Sequence, residues 1–375
     1  MASRMKPFKP NTYPTMGVEQ EFHLIDPRTG QLAPRMEEVW KRLEGWANES
    51  ACYELILSVI EMRSRVCRTA DQLLDDVIQS RRDLAEACRQ VGVLAVAAGS
   101  HPYADWTNQP IVQTEHYRWL AEHYVDVARR LIAFGLHVHV GMRSADGAMY
   151  VMRQMCRWVY PLLALSANSP FLDGRRTGLA STRQMLMNAM PRTMTPPDFH
   201  SFAELEAYYG KLHETGDVAR PGDLWWAVRI QPPLGTIEFR CFDLPTDVRR
   251  AAALAAVIQA AMATLQDDFE AGREPERLVE HYLDQNRWKA TRYDLDARII
   301  EPHTGEILTV RDQLLRLFDR IEPKAKELES DHHLAFARHM LTAETESRQQ
   351  VRFYEQNGRD LRQLELELAR RTMDF

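Results

Sequence analysis

The chain has 375 residues, 45% hydrophobic and 27% charged, with a formal net charge of −6, the mixture of a soluble globular protein of one large or two ordinary domains. Both signs of charge are interspersed, which excludes a nucleic-acid track and a polybasic membrane anchor. The polar start MASRMKPFKPNTYPT has no apolar centre of a secretory signal, and no apolar run approaches the ~20 residues of a membrane helix.

In chain order, Gly17-Val-Glu-Gln-Glu-Phe22 is an acidic strand and Asp26-Pro-Arg-Thr-Gly30 a turn, so residues 16–33 are predicted as a β-hairpin arm. Residues 51–66 are expected to be extended. Thr69 caps a helix to about Val91, with Leu73, Leu74, Val77, Leu84, Cys88 and Val91 on one stripe. A short buried strand follows at 93–98, then the Gly99-Ser-His-Pro-Tyr loop and a helix near 112–130. The Leu136-His-Val-His-Val140 strand comes next, then a helix near 147–168. Residues 169–200, rich in Pro, Gly, Thr, Met and Arg, are expected to form a long irregular loop. Strands are predicted near 224–231 and 236–243, and helix from Thr246 to the end. Strands in the first two thirds and helices in the last indicate the α+β class. The five cysteines, Cys52, Cys67, Cys88, Cys156 and Cys241, are widely spaced with no CxxC pair, as for reduced thiols of a cytoplasmic protein.

Four of these segments place acids or imidazoles on one side of a strand. Alternate side chains share a face. Glu19 and Glu21 therefore oppose Val18, Gln20 and Phe22, His137 and His139 oppose Val138 and Val140, and Glu238 and Arg240 oppose Ile237, Phe239 and Cys241; Ser58-Val-Ile-Glu61 adds Glu61. Two carboxylates ~4 Å apart repel by about 4 kcal/mol at an effective dielectric near 20. A cluster of them needs cations, and its hard oxygens with one histidine suit Mg²⁺ or Mn²⁺. The sequence holds no P-loop, no G-x-G-x-x-G after a strand, no G-x-S-x-G elbow and no H-E-x-x-H. His332-His333 is predicted as a helix-surface feature. Of Trp225-Trp226, one is expected in the core and the other at a pocket, and the methionines of 185–194 are expected to pack.

At these strands the sequence resembles the type 2 glutamate–cysteine ligases, the YbdK-like carboxylate–amine ligases of the glutamine synthetase and guanidino kinase superfamily. The likeness runs in order through Gly17–Phe22, Glu54, Glu61-Met-Arg-Ser, Gly99-Ser-His-Pro102, Gly135–Gly141, Ser166-Ala-Asn-Ser-Pro-Phe171, Ser181-Thr-Arg183 and Thr236-Ile-Glu-Phe-Arg240. It implies one catalytic domain over 1–375, with a sheet-bearing core at 16–245 and a helical part at 246–375. The fold it implies is a curved antiparallel sheet backed by helices, whose concave face takes ATP, two or three divalent ions (Mg²⁺ or Mn²⁺) and an amino acid. The implied reaction is attack of a carboxylate on ATP to give an acyl phosphate, then capture by an amine; L-glutamate plus L-cysteine giving γ-glutamylcysteine is the reference case. The partners are small molecules, with no nucleic acid or membrane, and a homodimer is compatible.

By the same resemblance Glu19, His137 and Glu238 hold the metal nearer the phosphates, and Glu21 and Glu61 the one nearer the amino acid. Glu54 also matches a family acid, but seven residues from Glu61 it requires a bulge or bend to share that face. Arg240 resembles the phosphate-contacting arginine, with Arg183 as a second phosphate or substrate arginine. His139 and His101 are the substrate-binding histidines. Plainer roles stay open: Arg240 pairing with Glu238, Arg175, Arg176 or Arg192 acting in place of Arg183, His139 satisfying a polar face, His101 forming an ordinary turn. A guanidino-type phosphotransferase and a non-catalytic ligase-like binding protein are the alternative functions.

Overall fold

The acidic segment becomes the pivot of the sheet. In the computed structural model, which describes residues 5–375, β1 (Met16–Ile25) is followed by β2 (Ala51–Tyr53), β3 (Val59–Arg63), β4 (Leu94–Val96) and β5 (Gly135–Gly141). After the small hairpin β6 (Phe171–Leu172) and β7 (Arg175–Arg176) come β8 (Val228–Gln231) and β9 (Thr236–Asp243). The main sheet is seven-stranded, in the order β2-β3-β1-β5-β9-β8 with β4 added against the far end of β1. All its pairings are antiparallel.

The period-2 pattern puts Val18, Phe22, Ile60, Met62, Val138, Val140, Ile237 and Phe239 in the core. Behind them pack the helices Ala70–Val91, Ala145–Met155, Val159–Ser166 and Val248–Glu270. Thr69 caps the first by accepting from the Gln72 N–H, and Gly92 ends it at φ 80°, where glycine carries no Cβ penalty. Arg81 on this helix is wholly buried, and its guanidinium donates to Gln20 Oε1 (3.0 Å), Pro245 O (2.9 Å) and Thr246 O (2.6 Å). It thereby ties the back of β1 to the end of β9. Such a buried cation is tolerable because hydrogen bonds replace its lost water.

Several expectations change. The 16–33 arm is one long strand with a single bridge, Ile25 to Leu32, because Asp26 closes a tight turn onto the N–H groups of Arg28 and Thr29. The 51–66 segment is two strands with a turn between them. Residues 169–200 are partly ordered, with the β6–β7 hairpin and a helix, Thr182–Met187, capped by Ser181. Short helices at Met36–Trp40 and Gly45–Ser50 and a longer one at Phe202–Glu214 were not foreseen. The helical last third also contains a hairpin, β10 (Arg298–Ile300) with β11 (Ile307–Thr309). Among the described residues one helix, Val248–Glu270, is long and apolar enough to cross a membrane, but it is a core helix, buried along most of its length.

Candidate active site

The register of the sheet decides which side chains meet. Glu19 stands opposite Arg63 on β3 and His137 on β5, Glu21 opposite Glu61, and His139 opposite Glu238. Between β5 and β9 the pairing shifts by one, with Leu136 opposite Phe242 but Val138 opposite Phe239. The extra residue is a bulge in β9, and it lets Phe242 join the core while Asp243 returns to the polar face.

Two groups of converging ligand atoms result. Glu19, His137 and Glu238 form one, and Glu21, Glu61 and His137 the other; within each, one donor atom per residue lies within 4.8 Å of the rest. His137 joins them, with Nδ1 at 3.0 Å from Glu19 Oε2 and 3.8 Å from Glu238 Oε1, and Nε2 at 3.5 Å from Glu21 Oε1. His139 is at 3.4 Å from Glu19 Oε1 and 3.9 Å from Glu238 Oε2, and its Nδ1 is 3.1 Å from the Thr236 hydroxyl. Glu54 lies in the turn after β2. That turn is the bend its spacing required, and it brings Glu54 to the same cavity as Glu61.

Electrostatics divides the carboxylates. Burial would raise Glu238, but Arg229, Arg240 and His139 together hold it well below the usual range. Arg229 grips it through Nε (2.8 Å) and Nη2 (3.2 Å), Gln231 donates at 2.6 Å, and Arg240 Nη1 donates as well. Glu19 is likewise lowered, because His139 and the bond to His137 outweigh burial. On the other side, burial raises Glu21 and Glu54, and Glu61 is raised well above its ordinary value by burial and then by Glu19, Glu54 and Glu21. The ionised forms of Glu21, Glu54 and Glu61 are thus under-compensated by the protein's own cations. Among the described residues the buried Nε2 atoms of His137 and His139 make no well-formed hydrogen bond, though each has a carboxylate oxygen near it, Glu21 at 3.5 Å and Glu19 at 3.4 Å. Orphaned imidazole nitrogens beside under-compensated carboxylates fit hard divalent cations of the Mg²⁺ or Mn²⁺ type.

The face opens on a cavity of about 370 Å³. Its wall carries the acids Glu19, Glu21, Glu54 and Glu61 with Cys52, and the arginines Arg183, Arg220, Arg229 and Arg240; Tyr117, Leu131, Met187 and Trp225 give apolar wall. Trp226 is the core member of its pair. Arg183 is positioned by a buried acid. Asp243 accepts from Ser169 Oγ (2.6 Å), Ser181 Oγ (2.8 Å) and the Asn168 N–H (2.8 Å), fastening the Ser-Ala-Asn-Ser-Pro-Phe stretch and the cap of the 182–187 helix to β9. A side chain at Gly135 would collide with the Arg183 guanidinium, and one at Gly99 with Asp243. Both glycines are there for close approach.

His101 does not join the group. Its Nε2 is 2.8 Å from the Gly30 carbonyl and its Nδ1 accepts from the Tyr103 N–H, so it closes the turn after β1, and it is withdrawn from the substrate site. His139 sits beside Glu19 and Glu238 and is absent from the cavity wall. The foreseen Arg240–Glu238 pair is present, in addition to the place of Arg240 on that wall. Arg229, Gln231, Arg220 and His116 were missed. Arg229 and Gln231 alternate with Val228 and Ile230, a period-2 signal that was available in the sequence. His332 and His333 both reach Asp71 Oδ1 (2.8 and 2.9 Å), and His333 is buried, so the pair joins two helices.

The architecture is that of solved ligases. A Francisella tularensis glutamate–cysteine ligase in complex with AMP superposes with a TM-score of 0.72 at 13% identity, over 98% of this chain and 90% of that one. A bifunctional glutathione synthetase from Pasteurella multocida does so with 0.68 at 15%, over 96% and 52%. At such identities the likeness establishes the fold. The profile of Glutamate-cysteine ligase family 2 (GCS2) matches residues 15–365, and the chain belongs to that family. Among its relatives is "Putative glutamate--cysteine ligase 2" of Herpetosiphon aurantiacus, 31% identical over 96% of this chain and 93% of that protein. A Rubrobacter xylanophilus protein, "Putative glutamate--cysteine ligase 2-1", is 33% identical over 92% and 91%.

Proposed function

We propose that the chain is an ATP-dependent carboxylate–amine ligase that activates L-glutamate as its γ-acyl phosphate, with glutamate plus cysteine giving γ-glutamylcysteine, ADP and phosphate as the reference reaction. The observation that carries this reading is the sheet face itself. Two cation-sized groups of acids sharing His137 open on the same cavity as Arg183 and Arg240, the pairing of negative metal ligands with positive phosphate contacts that phosphoryl transfer to a carboxylate needs.

Glu19, His137 and Glu238 would hold one Mg²⁺ or Mn²⁺, and Glu21 and Glu61, with Glu54 beside them, the other. When bound, such ions neutralise phosphate oxygens and the attacking carboxylate. The chain's own residues do the rest. Arg240, kept charged by Glu238 and Glu19 against burial, meets charge developing on the transferred phosphoryl group. Arg183, fixed through Asp243 and its neighbours, supplies a second planar donor. Tyr117, Leu131, Met187 and Trp225 exclude water from an intermediate that water would hydrolyse. The test is ADP release from Mg²⁺-ATP and glutamate across a panel of amines, with product mass measured. The reading requires ADP formation that depends on both glutamate and an amine and yields an amide; ADP without amide contradicts it.

A further inference from the structure

We propose that His116 is the base that takes a proton from the acceptor amine, and that Asp223 is its positioning partner. The proposal rests on the ligase reading, because it assigns the second half of that reaction.

His116 is the second residue of the helix Glu115–Arg129, capped by Thr114, and forms part of the cavity wall that also carries Glu54, Glu61 and Arg240. Its Nε2 lies 3.6 Å from Asp223 Oδ1, with side-chain exposures of 18% and 0%. Asp223 Oδ2 is committed to the N–H groups of Ala219 (2.8 Å) and Arg220 (2.9 Å), whereas Oδ1 is buried with no hydrogen-bond partner among the described residues. A buried carboxylate oxygen left unpaired is costly, and the groups it faces are His116 and, at 3.7 Å, the Arg220 Nε. With the proton on Nε2 facing this acid, Nδ1 carries the lone pair. The Trp119 ring, near-parallel at 6.0 Å, helps hold the imidazole.

The other imidazoles of the face are taken. His137 stands between Glu19 and Glu21, and His139 between Glu19 and Thr236. His116 is also neutral where it is needed: burial and Arg220 lower its pKa against the pull of Asp223, the two charged groups that face it. An amino-acid amine arrives as an ammonium ion with no lone pair to attack with. His116 Nδ1 takes one proton; the freed nitrogen pair forms the C–N bond at the acyl carbon; the C–O bond to phosphate breaks, and its electron pair leaves with the phosphate. The second nitrogen proton goes to that phosphate, giving the neutral amide, HPO₄²⁻ and a protonated His116.

Hydroxylamine separates this role from all others, since it is already neutral at pH 7 and needs no base. In His116→Gln, amide formation with an amino-acid amine should fall about 10²–10³-fold, while hydroxamate formation from the same acyl phosphate falls far less; the retained hydroxamate rate also shows that the variant is folded. Asp223→Asn should move the acidic limb of the kcat/KM profile for the amine to lower pH, because the imidazolium loses its counter-charge. Equal losses with both nucleophiles, or an unchanged amine rate, would overturn the assignment to His116. A wild-type protein that makes neither hydroxamate nor amide overturns the ligase reading, and this proposal with it.

Discussion

Glu61 and Glu21 face each other across neighbouring strands, an arrangement that destabilises a sheet when both are charged. Among the described residues neither is gripped by an arginine in the way Glu238 is. Glu61 in particular is raised by burial and by Glu19, Glu54 and Glu21, with Arg63 pulling the other way without reversing the shift. Its ionised form therefore works against the folded state until a cation arrives. Glu61→Gln should accordingly be more heat-stable than the wild type at pH 8 in EDTA, and should gain less than the wild type when Mg²⁺ is added. A variant that is no more stable in EDTA and responds to Mg²⁺ as the wild type does would remove Glu61 from the cation site. Substitution at Glu238 is a poorer probe, because it would also release Arg229, Arg240 and Gln231.

At the scale of elements, the C-terminal helix Leu361–Thr372 reaches the acid-bearing strand. Glu365 is wholly buried and lies 2.6 Å from Nε2 of His23, which continues the Glu19–Glu21 side of β1 and stacks on Phe134. Burial raises Glu365 to about 7 and lowers His23 to about 3, so the pair is a neutral acid donating to a neutral imidazole. A carboxyl raised on folding contributes stability that is whole below the unfolded value and lost as pH rises through the folded one. The wild type should thus lose up to roughly 3 kcal/mol at Glu365 between about pH 4.5 and pH 7, at 1.36 kcal/mol per unit. Glu346, also raised to about 7 by burial, adds in the same sense. His23, lowered by burial, works in the opposite sense over much of this range, so the difference between the two proteins is the test. Urea unfolding at pH 5 and pH 8 should show Glu365→Gln, which keeps a donor without the charge, gaining stability relative to the wild type as pH rises; an unchanged difference would contradict a neutral Glu365.

These elements also show what could be seen in the sequence. Strands with strict alternation were placed well, since Glu19, Glu21, His137 and Glu238 are opposed by side chains that must be buried. The 70–91 helix was as clear, because its cap, stripe and terminal glycine agree. His101 was misassigned because a loop histidine has no periodicity to say what it faces. His116 and Asp223 escaped notice because they lie about a hundred residues apart, and the turn that brings them together has no sequence pattern of its own.

At the scale of the molecule, the sheet is the instrument and the rest holds its register. Arg81 ties β1 to the end of β9 from behind, Asp243 ties the 166–183 segment to β9 from the site side, and Glu365 closes the far end of β1. Glu19, Glu21, Glu61, His137, Arg229, Glu238 and Arg240 come from β1, β3, β5, β8 and β9, so their spacing is set by hydrogen-bonded strands, which suits a reaction that depends on positioning. The central claim is that a carboxylate is activated by phosphoryl transfer on this face. Glutamate carrying ¹⁸O in its side-chain carboxylate, supplied with Mg²⁺-ATP and an accepted amine, tests it most directly. The predicted result is one ¹⁸O atom in the inorganic phosphate for each amide formed; unlabelled phosphate alongside normal amide formation would contradict it.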